Sequence, residues 1–249
     1  MVERPDGGAD HQAQTCETPD VWPRKNGSPP SPCHRRGIKS ITTKTASEPI
    51  LHAETHSFGD RIESRAEKAL ALTTAKRLVV VGCSVGGSCA LEVAALAPDR
   101  VSALVLIGTK AWRRLDPVYH ASALQTLHEK GLEAAWCEFW KPLFANEVLP
   151  GAVEKAKRIT MRQSLEDVAQ GVTIFHTRPS RDDILSSFPG PVVVVTGSED
   201  VAPGLNTSRK QTKMAQHGRL HVIPDCGHYV PMEQPEAINL IIRQVLETA

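Results

Sequence analysis

Three polar residues of this chain, Ser84, Asp200 and His228, are of the types that together turn a hydroxyl into a nucleophile, and each follows a stretch that reads as a buried strand. A serine hydroxyl is a poor nucleophile near neutral pH and needs a base within hydrogen-bonding reach. Histidine can take the proton, and a carboxylate behind the ring fixes its tautomer and stabilises the imidazolium. Ser84 sits between a continuous apolar run, Leu78 to Val81, and an alanine-rich stretch of helical spacing from Ser88 to Leu96 that Pro98 stops. Gly82, Ser84 and Gly86 spell GxSxG. In such a strand-to-helix turn the serine is strained and pushed outward, and residues two before and two after it are expected to need small side chains. The helix dipole beneath Ser84 favours developing negative charge.

The acid and the base have neighbours that could serve in their place. Asp200 lies in Gly197-Ser-Glu-Asp-Val-Ala-Pro203, so Glu199 is an alternative, as is Asp225, and an acid after a strand is often only a helix N-cap. His228 lies in Asp225-Cys-Gly-His-Tyr-Val-Pro231, with glycine before it and a Pro-Met-Glu-Gln-Pro turn after it. The six cysteines show no CxxC pair and no metal-ligand spacing, so free thiols and no metal are expected.

The elements that would carry these residues alternate between strand and helix. Strand runs are predicted at Leu78 to Val81, within Pro98 to Gly108, at Pro191 to Gly197 and at Leu220 to Pro224, with helices at Arg61 to Thr74 and from Pro235 to Glu247. That pattern implies an α/β fold: a mostly parallel sheet with helices on both faces, whose carboxyl edge gathers the three loops. Between Trp112 and Ser187 the strand signal vanishes and four helical pieces follow, at Pro117 to Lys130, Leu132 to Phe144, Ala152 to Gln163 and Leu165 to Thr177. Ser180 is expected to cap a short helix running towards Phe188. The resulting organisation is 1–48, polar and Pro-rich without apolar periodicity and expected to be disordered or atypical; 49–111, core with the serine turn; 112–187, a helical insert; and 188–249, core with the acid and histidine loops. A net charge of +1 gives no field that would favour nucleic acid or an anionic membrane, and no apolar run approaches a membrane span. A cytoplasmic protein acting on a small neutral molecule is the expectation.

From about residue 60 onward the chain resembles the α/β-hydrolase superfamily. The resemblance is carried by Val81-Gly-Cys-Ser-Val-Gly-Gly87, Ala97-Pro-Asp-Arg-Val-Ser-Ala-Leu-Val-Leu-Ile107, Gly197-Ser-Glu-Asp-Val-Ala-Pro203 and Asp225-Cys-Gly-His-Tyr-Val-Pro-Met-Glu-Gln-Pro-Glu-Ala237. It implies a chain order of serine, acid, histidine, with Asp200 as the acid in preference to Glu199 and His228 as the base in preference to His217 or His221. It also implies that the Val85 N–H contributes to an oxyanion hole and that the helical insert is a lid. The general look is of small cofactor-free esterases and enol-lactonases, with carbon–carbon bond hydrolases and cofactor-free haloperoxidases in neighbouring branches. Trp112, Trp136, Phe139, Trp140 and Phe144 either pack the insert onto the core or line a pocket for a hydrophobic acyl group or lactone. One departure stands out: no His-Gly pair, the usual mark of the loop that gives the second oxyanion donor, occurs ahead of Ser84. The alternative to a hydrolase is therefore a binding protein of the same fold.

Overall fold

The structure is a computed structural model that describes residues 59–113 and 115–248; the segment 1–48 lies outside the described residues. Four parallel strands, β1 (Leu78–Cys83), β2 (Val101–Ile107), β3 (Pro191–Gly197) and β4 (His217–Ile223), form one sheet in the order β1-β2-β3-β4. Helices occupy both faces. On one face α1 (Ile62–Ala71), α2 (Val85–Leu96), α6 (Asp182–Ser187) and α7 (Leu205–Met214) cover a core built on Leu91, Leu104, Leu106, Val192 and Val194. On the other, α8 (Pro235–Thr248) lays Ile238, Ile241 and Val245 against Ala103, Val105, Val193 and Val195. The alternation of these strand residues between two cores is the period-two pattern of a sheet buried on both sides.

Burial is greatest in β2 and β3; among the described residues β1 ends the sheet, with Val80 packed against one core and Val79 and Cys83 against the other. β4 begins three residues earlier than its apolar run suggested, because His217, Gly218 and Arg219 pair with Pro191, Val192 and Val193 despite being polar or small. α2 likewise begins at Val85 and not at Ser88.

Between β2 and β3 lies the helical insert, with α3 (Pro117–Ala135), α4 (Pro150–Met161) and α5 (Leu165–Thr177). Gly131, at φ 82° and ψ 178°, breaks α3 where the sequence places a boundary between two helical pieces. The second piece continues as a single π turn at Trp136–Trp140 and a 3₁₀ turn at Lys141–Leu143. Ser180 does not cap α6. Arg181 occupies the cap position without a side-chain bond, and the Ser180 hydroxyl instead accepts the N–H of Arg113 at 2.9 Å, joining the two strands of chain that lead into and out of the insert. A second link, Arg181 N–H to the Ala111 carbonyl at 2.9 Å, does the same. Of the described cysteines, Cys83, Cys89 and Cys226 are free thiols, whereas Cys137 is disulfide-bonded, against the free-thiol expectation.

Candidate active site

Ser84 stands between the end of β1 and the first turn of α2 with φ 53° and ψ −120°, a conformation costly for a residue with a Cβ. The turn is held by the Ser84 N–H, which donates to the Ile107 carbonyl at the end of β2, 2.8 Å away. Strand and helix pass closely at Gly82, where an added Cβ would lie 2.2 Å from the Gly86 carbonyl oxygen. The expectation for Gly86 fails: a Cβ there would meet nothing within 4 Å. Gly87 is the second constrained glycine, since its Cβ would come 2.4 Å from Thr109 Cγ2. Val85 opens α2, so its N–H has no intrahelical acceptor and is left for an external one.

Asp200 and His228 meet. His228 Nδ1 and Asp200 Oδ1 are 3.1 Å apart, with side chains 4% and 0% exposed. The Asp200 carboxylate is further held by the Ala202 N–H on Oδ1 at 2.8 Å and by the Thr196 hydroxyl on Oδ2 at 3.3 Å. His228 packs its ring and its main-chain carbonyl over Gly108, the residue after Ile107. A Cβ on that glycine, at φ +53°, would come 3.0 Å from Nδ1. Ser84 and His228 are thus set on neighbouring turns at the carboxyl edge of the sheet, one bonded to the end of β2 and the other packed on the next residue. Among the described residues the Ser84 hydroxyl itself makes no hydrogen bond.

Glu199 is committed elsewhere. One oxygen of its carboxylate accepts the N–H of Asn146 at 2.9 Å and the Asn146 side-chain amide at 2.8 Å. Asp225 is exposed at φ 49° and its N–H donates to the Ser198 hydroxyl, so neither alternative acid touches the imidazole. Sequence reasoning missed the part played by Glu233. Its buried carboxylate accepts the N–H groups of Gly227 at 2.9 Å, Tyr229 at 3.0 Å and Ala145 at 2.9 Å. The spacing of four between Tyr229 and Glu233, across a prolyl helical turn, was the one local signal of it.

The five aromatics divide. Trp136 and Phe144 are buried together, ring centroids 6.2 Å apart, and Phe144 reaches Tyr229, the neighbour of His228, at 4.6 Å. Phe139 and Trp140 are half-buried and pack among the insert's own helices, while Trp112 stands apart on the chain leading into it. Burial first, with Asp200 and Glu233 adding to it, pushes the thiols of Cys83 and Cys226 up to about 12, so both stay protonated and non-nucleophilic beside the site. Among the described residues no group of three or more His, Cys, Asp or Glu is placed to hold a metal ion, and no helix is long and apolar enough to cross a membrane.

Comparison with known proteins gives the same architecture. Residues 27–239 match the alpha/beta hydrolase family. The chain is 23% identical over 245 residues to a 2-hydroxymuconate semialdehyde hydrolase of Pseudomonas putida, covering 89% of this chain and 84% of that one. Among solved structures, a thermophilic esterase from Thermogutta terrifontis is 26% identical with a TM-score of 0.67, covering 75% of this chain and 72% of that one. The enol-lactonase from Burkholderia xenovorans, at 18% identity, shares the fold with a TM-score of 0.67 over 75% of this chain and 73% of that one. The chain spans from 56% to 84% of the lengths of the curated relatives it matches.

Proposed function

Because the chain belongs to the alpha/beta hydrolase family, we propose that it is a serine hydrolase that cleaves carboxylic esters or lactones by acyl transfer through Ser84. The observation that carries the reading is the buried His228–Asp200 contact at 3.1 Å, set beside a serine held at φ 53° at the same edge of the sheet. In the tautomer that donates Nδ1–H to Asp200, Nε2 of His228 is left as the base. Ser84 Oγ attacks the carbonyl carbon and gives its proton to Nε2, and the negative oxygen that forms faces the Val85 N–H. Collapse breaks the bond to the leaving oxygen, which takes the proton back from His228 and departs as an alcohol or as the hydroxyl of an opened lactone. Water, deprotonated by the same nitrogen, then releases the acid and restores Ser84. The reading requires Ser84 Oγ to come within hydrogen-bonding reach of Nε2 in the substrate complex.

The 26%-identical solved neighbour is an esterase, which supports an ester or lactone as the substrate class. The test is labelling with a fluorophosphonate, which reacts only with an activated serine. Labelling of the wild type and none of Ser84→Ala is expected. Absence of labelling in both, with the fold intact, would leave the binding-protein reading standing.

A further inference from the structure

His228 is fixed by more than its carboxylate partner. The residues on either side of it, Gly227 and Tyr229, both donate their N–H to the Glu233 carboxylate, while the N–H of His228 itself donates to the Leu143 carbonyl at 2.8 Å. The same Glu233 oxygen that takes Gly227 also takes Ala145, a residue 88 positions away at the exit of the aromatic π turn. Gly227 is pressed against that exit: a Cβ on it would lie 2.5 Å from both the Leu143 carbonyl oxygen and the Ala145 nitrogen. One residue further on, Asn146 is bound by Glu199, the neighbour of Asp200. Segment 143–146 of the insert is therefore bonded to the histidine loop at 228, to the carboxylate that pins 227 and 229, and to the acid loop at 199.

We propose that Glu233 is a positioning residue and that it joins the insert's segment 143–146 to the histidine loop as one cooperative unit, so that displacement of the insert at this point displaces His228. The first half rests on the catalytic reading of Ser84 and His228; the second does not. A carboxylate suits the role because it only accepts, and here three N–H groups converge on its two oxygens. Glutamine keeps the shape but presents an amide group that opposes at least one of those donors, leaving a buried N–H unpaired.

Amide hydrogen exchange tests the unit without any appeal to activity. In the wild type, Ala145, Gly227, His228 and Tyr229 should open together, with one opening free energy and one denaturant dependence. In Glu233→Gln, exchange at 143–146 and at 227–229 should rise together by roughly 10- to 100-fold, the loss expected for charge-assisted bonds to a buried acceptor, with the strands unchanged. Independent opening of Ala145 in the wild type, or acceleration confined to 227–229, overturns the unit. Kinetics on a nitrophenyl ester then test positioning: kcat should fall by roughly 10- to 100-fold with KM within about threefold, since a misplaced base costs the transition state and not ground-state binding. Unchanged kcat in Glu233→Gln beside an active wild type overturns that half. An inactive wild type refutes the hydrolase reading alone, and the exchange result still decides the unit. Should the variant fail to fold, the wild-type exchange pattern carries the decision.

Discussion

At the scale of single residues, the sharpest test separates Asp200 from its neighbour. Asp200→Asn should leave His228 with the wrong tautomer and lower kcat by up to ~10⁴. Glu199→Gln should cost far less, because the amide oxygen of glutamine can still accept from the Asn146 backbone. Steady-state kinetics on the two variants decide the assignment, and a more damaging Glu199→Gln would give the acid role to Glu199. Ser84→Ala and His228→Ala should each remove nearly all acyl transfer, with the double variant scarcely worse, as for groups that act as a unit. The positions of Ser84, Asp200 and His228 were legible in the sequence because each is placed by a local rule, a glycine-flanked turn or a loop directly after an apolar run. The part played by Glu233 was not. Its partners include an N–H 88 residues away, and no local pattern announces a bond across that distance.

At the scale of elements, the turn around Ser84 makes three glycines do different things. Gly82→Ala drives a methyl group into the Gly86 backbone, which cannot swing aside, and should destabilise the fold by at least the ~1–3 kcal/mol of an overpacked core. Gly87→Ala meets the side chain of buried Thr109 and should cost a comparable amount. Gly86→Ala meets nothing, and inside a helix it should add about 0.5–1 kcal/mol of stability. Urea unfolding of the three variants checks the ranking, and equal losses at 82 and 86 would contradict the geometry. The motif pattern treats its two outer glycines alike, so this asymmetry was illegible; it arises from how α2 leaves the sheet. Strand identity was legible wherever burial was complete, as in β3, whose predicted and observed limits coincide. It blurred at β4, whose first residues are polar because one side of that strand ends the sheet among the described residues. Ser180 was misread because its hydroxyl has a stronger use between the two arms of the insert than at a helix start.

At the scale of the whole molecule, the buried ionisable groups set a pH window for stability. Burial raises Cys83 and Cys226 to about 12 and Cys89 to about 11, and it raises Tyr229 as well. For each, the folded protein keeps a proton that the unfolded chain surrenders above its ordinary value of about 9 to 10. Stability is then lost as pH rises beyond that value, by up to ~1.4 kcal/mol per pH unit for each group fully engaged. Burial and then the nearby Arg113 lower Arg178, but a guanidinium keeps its proton throughout this range and does not offset the loss. On the acid side, burial, stacked His120 and the charge of Arg178 lower His176. The unfolded chain therefore binds a proton below about pH 6.5 that the folded protein refuses, and stability falls as the pH drops through that value. The expected profile is a plateau between about pH 6.5 and 9 with a steeper alkaline than acid limb, measured as urea midpoints across the range. Cys226→Ala should make the alkaline limb shallower by one group, and His176→Gln should flatten the acid one. A stability that stays level from pH 8 to 10.5 would mean that these thiols and the Tyr229 phenol are open to solvent, and the close packing of Cys83 and Cys226 behind the candidate site would be wrong.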